Sequence, residues 1–476
     1  MAAITDIYIG SFIAVQLLFI AGYMLNRYCL TDLDRGYHFI LALPVGVLLW
    51  GIIWSVASLI HFDYLFGFGS LLNQFSLLAF LFTAISLSVL SIYSLPLQRQ
   101  ELIHIGLWSG TILFLSLLFL VNSYIVISGD SYVFMNWAQD PLVTLRRGFP
   151  LILLSIANLS SLISTDYYLF IIHPLIFLSL TLLIGQVSLS LISKYLHTFK
   201  ADFVYPLLLL FLFIFAMNPM MYMNMIYING HVLFTISYLA IFAIILLSKT
   251  FSPGKILYIA LLSLSVTMLR MEGFLMLLPL FAITLFGRDR RVNFKLLSAV
   301  LGFSVLYLSN LIFHFWDSGF VHGAQYLIMI LLAVLLTLLL TNRFLSLKVQ
   351  QHHFWMVLLL LSLSLYLVMV LIKPGHMLES LTVFLRNLAT PGTWGALIVI
   401  PSFLMSALLI YRFKNGLKIR DHDLLLFLFL ISVLIILMLG FFRQPYRPGR
   451  FDSANRMLFH FLPFLVIWVT VELNRV

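Results

Sequence analysis

Residues 123–150 read SYIVISGDSYVFMNWAQDPLVTLRRGFP, the first stretch in which several carboxylates and an arginine pair interrupt a long apolar sequence. An apolar run starting near Ile103 precedes it, and an amphipathic run from Leu151 follows. Apolar stretches of membrane-spanning length on one side of a short polar one make lipid the solvent and the polar segment a membrane exit. Asp130 lies just past that exit, where a carboxylate meets both water and lipid headgroups. The rest of the chain is read by finding the other exits and deciding which side each one faces.

Composition supports lipid as the solvent. A soluble chain carries about 25% charged residues; this one, of 476 residues, carries 9% and is 62% hydrophobic. So few charges cannot cover a water-facing surface of that size. The single cysteine, Cys29, excludes an intramolecular disulfide framework and any cysteine-based metal site. No basic segment or cleavage site precedes the first apolar run, which therefore reads as a retained span.

Apolar runs of spanning length, with shorter ones admitted where paired, predict an all-α, polytopic transmembrane protein of about 15 segments. They start near Tyr8, Tyr37, Leu71, Ile103, Tyr167, Phe203, Val232, Ile256, Phe274, Leu296, Tyr326, Phe354, Trp394, Leu424 and His460. Those between Phe203 and Phe286 are short, so two of them fit half-helices. Neither an internal repeat nor a soluble domain is visible. Three regions result: an N-terminal three-span extension (1–103), a core (104–315) with its first outer loop at 127–166, and C-terminal spans (316–476) with an arginine loop at 441–459.

Cytoplasmic loops hold the excess of Lys and Arg. With the N-terminus outside, alternate loops place 18 basic and 8 acidic residues inside, leaving +10 there. The outer face holds 9 of each and is neutral. One face thus carries the whole net charge, and a nucleic-acid partner is not needed to explain it. The outer basic residues are Arg146, Arg147, Arg270, Lys373, Arg386, Arg443, Arg447, Arg450 and Arg456, so eight of the nine are arginine. Arginine grips phosphate or carboxylate with a planar fork and keeps its charge in a half-dry site. That pattern suits capture of an anionic headgroup as well as anchoring to membrane lipids.

In SGDSYVFMNWAQD, Asp130 fits either a general base, with Ser131, Tyr132 and Asn136 beside it, or the N-cap of a following helix. After Arg146 and Arg147, Leu151, Leu154, Ile156, Leu159 and Leu162 line one side of a short interfacial helix. His231 opens an apolar span, where it can donate to a phosphate or sugar or simply pack. Arg270 and Glu272 lie between two apolar segments, either facing a cavity or pairing with each other. Arg443, Arg447, Arg450 and Arg456 enter a loop that Pro445, Pro448 and Gly449 keep from being a regular helix. This is the best phosphate-site candidate in the chain. A further outer segment, MLESLTVFLRNL, predicts an amphipathic helix resting on the membrane. His314 and Asp317, with His322 nearby, offer metal-ligand types and a weak candidate metal site without matching a defined motif, and no HExxH, P-loop or GxSxG is present.

In their order and sidedness, four features resemble the GT-C superfamily of integral-membrane glycosyltransferases. They are the acid in SGDSYVFMNWA, the amphipathic run after RRGFP, RMEG between two short spans, and SANRMLFHFLPFL opening the last span. Two departures are plain: three spans precede the one that leads to Asp130, and the acid is a lone Asp rather than an Asp-Glu or DxD pair. The resemblance implies a polyprenyl-phosphate-linked sugar donor, a glycan or lipid acceptor, and inversion at the outer face of the membrane. That face is either periplasmic or the lumen side of a eukaryotic membrane, and a bacterial inner membrane is the expected setting. It implies Asp130 as catalytic base, with Arg456, Arg450, Arg447, Arg270, Glu272, His231, Tyr132 and Arg147 binding substrate. No cofactor is implied; the lone Asp gives little reason to expect a divalent metal. Two alternatives stay open: a polysaccharide polymerase or ligase using polyprenyl-diphosphate-linked glycan, and a lipid or sugar transporter. Against the transporter, nearly all ionisable residues fall at span ends rather than mid-span.

Overall fold

Long runs of Leu, Phe, Ile and Ala without central charges form helices readily, and in lipid the helix satisfies every backbone polar group within its own segment. A computed structural model describes residues 2–62, 72–121, 159, 172–195, 201–219, 230–269, 273–283, 292, 295–296, 298–305, 307, 351–389, 394–416, 419–420, 422–442 and 456–475. Among the described residues the regular structure is helical, with no strand. The helices are α1 (Ala2–Cys29), α2 (Arg35–Ile40), α3 (Ala42–Phe62), α4 (Leu72–Ser94) and α5 (Arg99–Val121). Then come α6 (Ile172–Tyr195), α7 (Ala201–Met217), α8 (His231–Leu247), α9 (Pro253–Leu269) and α10 (Gly273–Ile283). The last are α11 (Gln351–Ile372), α12 (Pro374–Ala389), α13 (Ala396–Lys414), α14 (Asp423–Leu439) and α15 (Leu462–Leu473), the last preceded by a 3-10 turn at Leu458–His460.

The run expected to start near Tyr37 is broken at Leu41 into α2 and α3. Pro44 accounts for the break, because an unbroken helix would set its ring against the carbonyl of Ile40 and leave that oxygen without its donor. The short segments expected after Phe203 are short in fact: α7, α8 and α9 have 17 residues each and α10 has 11.

The described chain forms two compact units. The first takes residues 1–183, 225–274 and 290–344; the second takes 184–224, 275–289 and 345–476. Each is built around one helix that is apolar on all sides, as burial on all sides requires. In the first unit α8 is buried from His231 to Ile245 without interruption. In the second the chain is buried from Met457 to Glu472, which includes the whole of α15 up to its last residue.

Other helices turn apolar stripes outward. On α4, Phe75, Leu78, Phe82, Ile85 and Val89 recur at three- and four-residue spacing and are all exposed, Phe82 at 73%. On α11, Leu360, Leu361, Leu367 and Leu371 are likewise exposed. Contiguous apolar area of this kind is not tolerated in water on a monomeric protein. Among the described residues, five helical segments are long and apolar enough to cross a membrane: Ile9–Cys29, Gln74–Ser94, Ile172–Tyr195, Trp355–Ile372 and Leu397–Lys414. The protein is a helical, membrane-embedded chain.

Within the first unit α1 and α3 cross in backbone contact. A Cβ on Gly22 would stand 1.9 Å from the Ala42 carbonyl oxygen, and one on Gly46 would stand 1.8 Å from that of Leu18. Backbone cannot yield as a side-chain tip does, so Gly46→Ala should force the helices apart, costing about 1–3 kcal/mol. Gly106→Ala on α5, where a Cβ meets no described atom within 4 Å, should be neutral or stabilising by about 0.5–1 kcal/mol. Thermal unfolding of the two variants in detergent checks both signs.

Candidate functional site

Ionisable side chains in lipid-embedded proteins are costly unless paired or wetted, so each buried one needs an account. Among the described residues the buried Asp, Glu, Lys and Arg side chains gather at helix ends in two networks, one in each unit.

In the first unit the α1–α2 turn, the α4–α5 turn and the α8–α9 turn meet. Asp32 pairs with the Lys255 ammonium and accepts from the backbone N–H groups of Lys249 (3.0 Å) and Thr250 (3.2 Å). Burial pushes the Asp32 carboxyl up, but the hydrogen bonds from Lys255, Thr250 and Lys249 outweigh it and hold the group below the usual carboxylate range. Arg27 donates to the Ser91 carbonyl (2.9 Å), the Pro96 carbonyl (3.0 Å) and Glu101 (3.3 Å), closing the α4–α5 turn. Tyr258 donates to Asn26 Oδ1 at 2.7 Å, and Asn26 donates to the His38 carbonyl at 2.9 Å. All of the charged residues here belong to the face that the charge count makes positive.

In the second unit the C-terminal end of α13, the start of α14 and the C-terminal end of α15 converge. Arg412 grips Asp423 with both terminal nitrogens, at 2.6 and 2.7 Å, and reaches Glu472 at 3.3 Å. Asp423 also accepts from the Arg420 backbone N–H (2.7 Å) and from Trp468 Nε1 (3.0 Å). Arg420 lies 2.9 Å from both oxygens of Glu472, and His422 Nε2 contacts the same carboxylate. The Tyr195 ring packs 5.7 Å from that of His422.

His422, Asp423 and Glu472 have the ligand types of a metal centre, with donor atoms all within 4.8 Å of one another. The surroundings do not fit one. Two guanidinium groups already balance the two carboxylates, and Asp423 accepts four hydrogen bonds, about the capacity of an ionised carboxylate. A divalent cation would have to displace Arg412 or Arg420. The arrangement can clamp three helix ends together, with no lone pair of Asp423 left over for substrate or metal.

In the second unit, the described basic residues assigned to the outer face, Lys373, Arg386 and Arg456, lie at the other end. Lys373 and Arg386 are on or beside α12, whose Ser380 packs on Gly440 beyond the C-terminal end of α14, away from Asp423. Arg456 is half-buried at the start of the helical stretch that ends at Glu472, about 16 residues and so about 24 Å away. At this end Asn218 Nδ2 donates to the Trp394 carbonyl at 2.7 Å, and Phe459 stacks on Phe215. Gly395, next to Trp394, has φ +45°, which favours glycine before the first turn of α13.

Of the candidate site residues, two are described. His231 is buried as the first residue of α8, and Arg456 stands just before the buried stretch containing α15. Each therefore opens the central helix of its own unit. Asp130, Tyr132, Arg147, Arg270, Glu272, Arg447 and Arg450 lie outside the described residues, as does the amphipathic run after Arg147 apart from Leu159. The arginine–carboxylate clamp is missed by residue-by-residue motif reading. The signal for it was Glu472 in WVTVEL, a lone acid one helical turn after Trp468 in an apolar span. Comparison with family models, curated proteins and solved structures returns no match to this chain.

Removing one partner of a buried ion pair leaves the other uncompensated, at about 3–5 kcal/mol. Arg412→Ala should therefore lower the unfolding temperature in detergent sharply, and much more than Lys414→Ala on the exposed end of the same helix. Asp32, with its lowered folded value, stabilises above the ordinary carboxylate range near pH 4 and loses that contribution as pH falls through the folded value. Asp32→Asn should flatten the acid limb of a stability–pH curve between pH 5 and lower values, measured by unfolding at stepped pH.

Proposed function

We propose that the protein is a membrane glycosyltransferase resembling the GT-C superfamily. It moves a sugar from a polyprenyl-phosphate donor to a hydroxyl on a glycan or lipid acceptor, with inversion. The proposed layout has about 15 membrane segments in a bacterial inner membrane, with the N-terminus outside, the C-terminus cytoplasmic and the site on the outer face.

The observation that carries this reading is the concentration of arginine on an outer face with no net charge, together with Asp130 in the first outer loop. Additional support comes from the second unit, where Lys373, Arg386 and Arg456 lie at the opposite end from Arg412, Lys414 and Arg420. The inner-end carboxylates are occupied by guanidinium groups, which leaves the outer end as the better place for chemistry on an anionic substrate.

The proposed step uses Asp130 as general base. It takes the proton from the acceptor hydroxyl while that oxygen attacks the anomeric carbon. The bond from that carbon to the phosphate oxygen breaks, and its electron pair leaves with the phosphate. Negative charge grows on the leaving phosphate during the step, so guanidinium groups aimed at it favour the transition state over the ground state. Arg456, Arg450 and Arg270 fill this role, with Arg447, Arg147, Glu272, His231 and Tyr132 lining the substrate. Direct displacement inverts the anomeric centre without a second carboxylate.

General-base assistance is worth roughly 10²–10⁴-fold in rate. Asp130→Asn should therefore abolish transfer of a radiolabelled sugar from a polyprenyl-phosphate donor, with expression and donor binding near normal. Wild-type turnover in that variant would remove Asp130 from the mechanism. Release of a diphosphate carrier in the lipid product would instead favour a polymerase or ligase.

A further inference from the structure

We infer that α12 is an in-plane helix whose outward leucine flank is immersed in the acyl–headgroup boundary of the bilayer, fixing where that boundary meets the second unit. The inference needs only membrane embedding and is independent of sugar transfer.

Three stripes of the helix carry it. Met377, Ser380, Phe384 and Asn387 recur at helical spacing and face the protein, with Ser380 at 7% and Asn387 at 3% exposure. Leu378 and Leu385, seven residues apart on the next flank, are 53% and 54% exposed. Glu379, Thr382 and Arg386 form the third stripe and are exposed as well. A helix docked on a protein in water turns its leucines inward and its polar residues outward. Here a serine and an asparagine face inward while two leucines face outward, so the solvent on that flank is apolar. The stripe of Glu379, Thr382 and Arg386 requires water on the adjacent flank. An interface between the two media supplies both.

Continuity with α11 identifies the apolar medium. Val368, Leu371 and Ile372, on the last turn of that apolar span, are exposed up to the corner at Lys373 and Pro374, where the chain turns into α12. At the corner the Lys373 ammonium sits 4.2 Å from the centre of the Phe441 ring, a cation at the level where lipid headgroups begin. Ser380 packs directly on Gly440, since a Cβ there would come within 2.4 Å of Ser380 Oγ. The boundary therefore runs past residues 440–442, beyond the C-terminal end of α14.

Site-directed fluorescence tests this on the full chain in liposomes. Bimane is attached to Leu378→Cys, Leu385→Cys, Glu379→Cys and Arg386→Cys in a Cys29→Ser background, with Leu367→Cys as the lipid-facing reference. Lipids brominated near the top of the acyl chain should quench positions 378 and 385 strongly, and aqueous iodide should quench 379 and 386. Iodide quenching at 378 and 385 would overturn the inference, because that flank would then face water. Resistance of both positions to both quenchers would overturn it too, because another copy or segment would then cover the flank. If a cysteine at either leucine prevents folding, Leu381→Cys on the same side of the helix gives the same readout.

Discussion

The Arg412–Asp423–Glu472 contact shows the constraint that orders the whole chain. Taking a carboxylate out of water is expensive, and lipid offers no other way to offset it than a fixed counter-charge and hydrogen bonds. With 9% charged residues, the chain keeps the described ones almost wholly at helix ends and pairs those that are buried. Arg412 serves two acids, Arg420 shares one of them, and Trp468 fills a remaining acceptor site. Three helices are held in one register by groups that none of them could bury alone.

The same economy applies to apolar surface. Helices α8 and α15 are apolar all round and are buried accordingly, whereas the outward stripes of α4 and α11 meet lipid. Because leucine is as comfortable in lipid as in a protein core, hydrophobicity alone does not press α1 against α3. Close backbone approach at Gly22 and Gly46 supplies packing contact in its place.

Helix positions were legible in the sequence because each apolar run has two polar ends, and α4, α5, α6, α11, α13 and α14 begin close to the expected starts. The break at Leu41 was readable in principle from Pro44. Gathering of Arg27, Asp32, Glu101, Lys249 and Lys255 at one end follows from the loop-by-loop charge alternation. Which acid meets which base did not follow, since Lys255 chooses Asp32 across 223 residues and spacing rules reach about one helical turn. The amphipathic character of MLESLTVFLRNL was legible too, but not its rotation. Ser380 turns inward onto Gly440, which has no Cβ to stand in its way. Of the candidate site, His231 and Arg456 gain a structural setting, each at the head of a central helix, and the catalytic proposal for Asp130 still rests on the sequence.

The Asp32–Lys255 contact also sets a timetable. Ribosomes add about 5–20 residues per second, so roughly 10–45 s separate synthesis of the acid from arrival of its ammonium partner. Arg27 meets Glu101 after a gap of only 74 residues, about a third of that wait. The contact between α1 and the α4–α5 turn can thus close early while the neighbouring Asp32 carboxylate stays hydrated. Insertion of the α8–α9 pair would then draw that carboxylate out of water, making the late pair the event that locks the early contact.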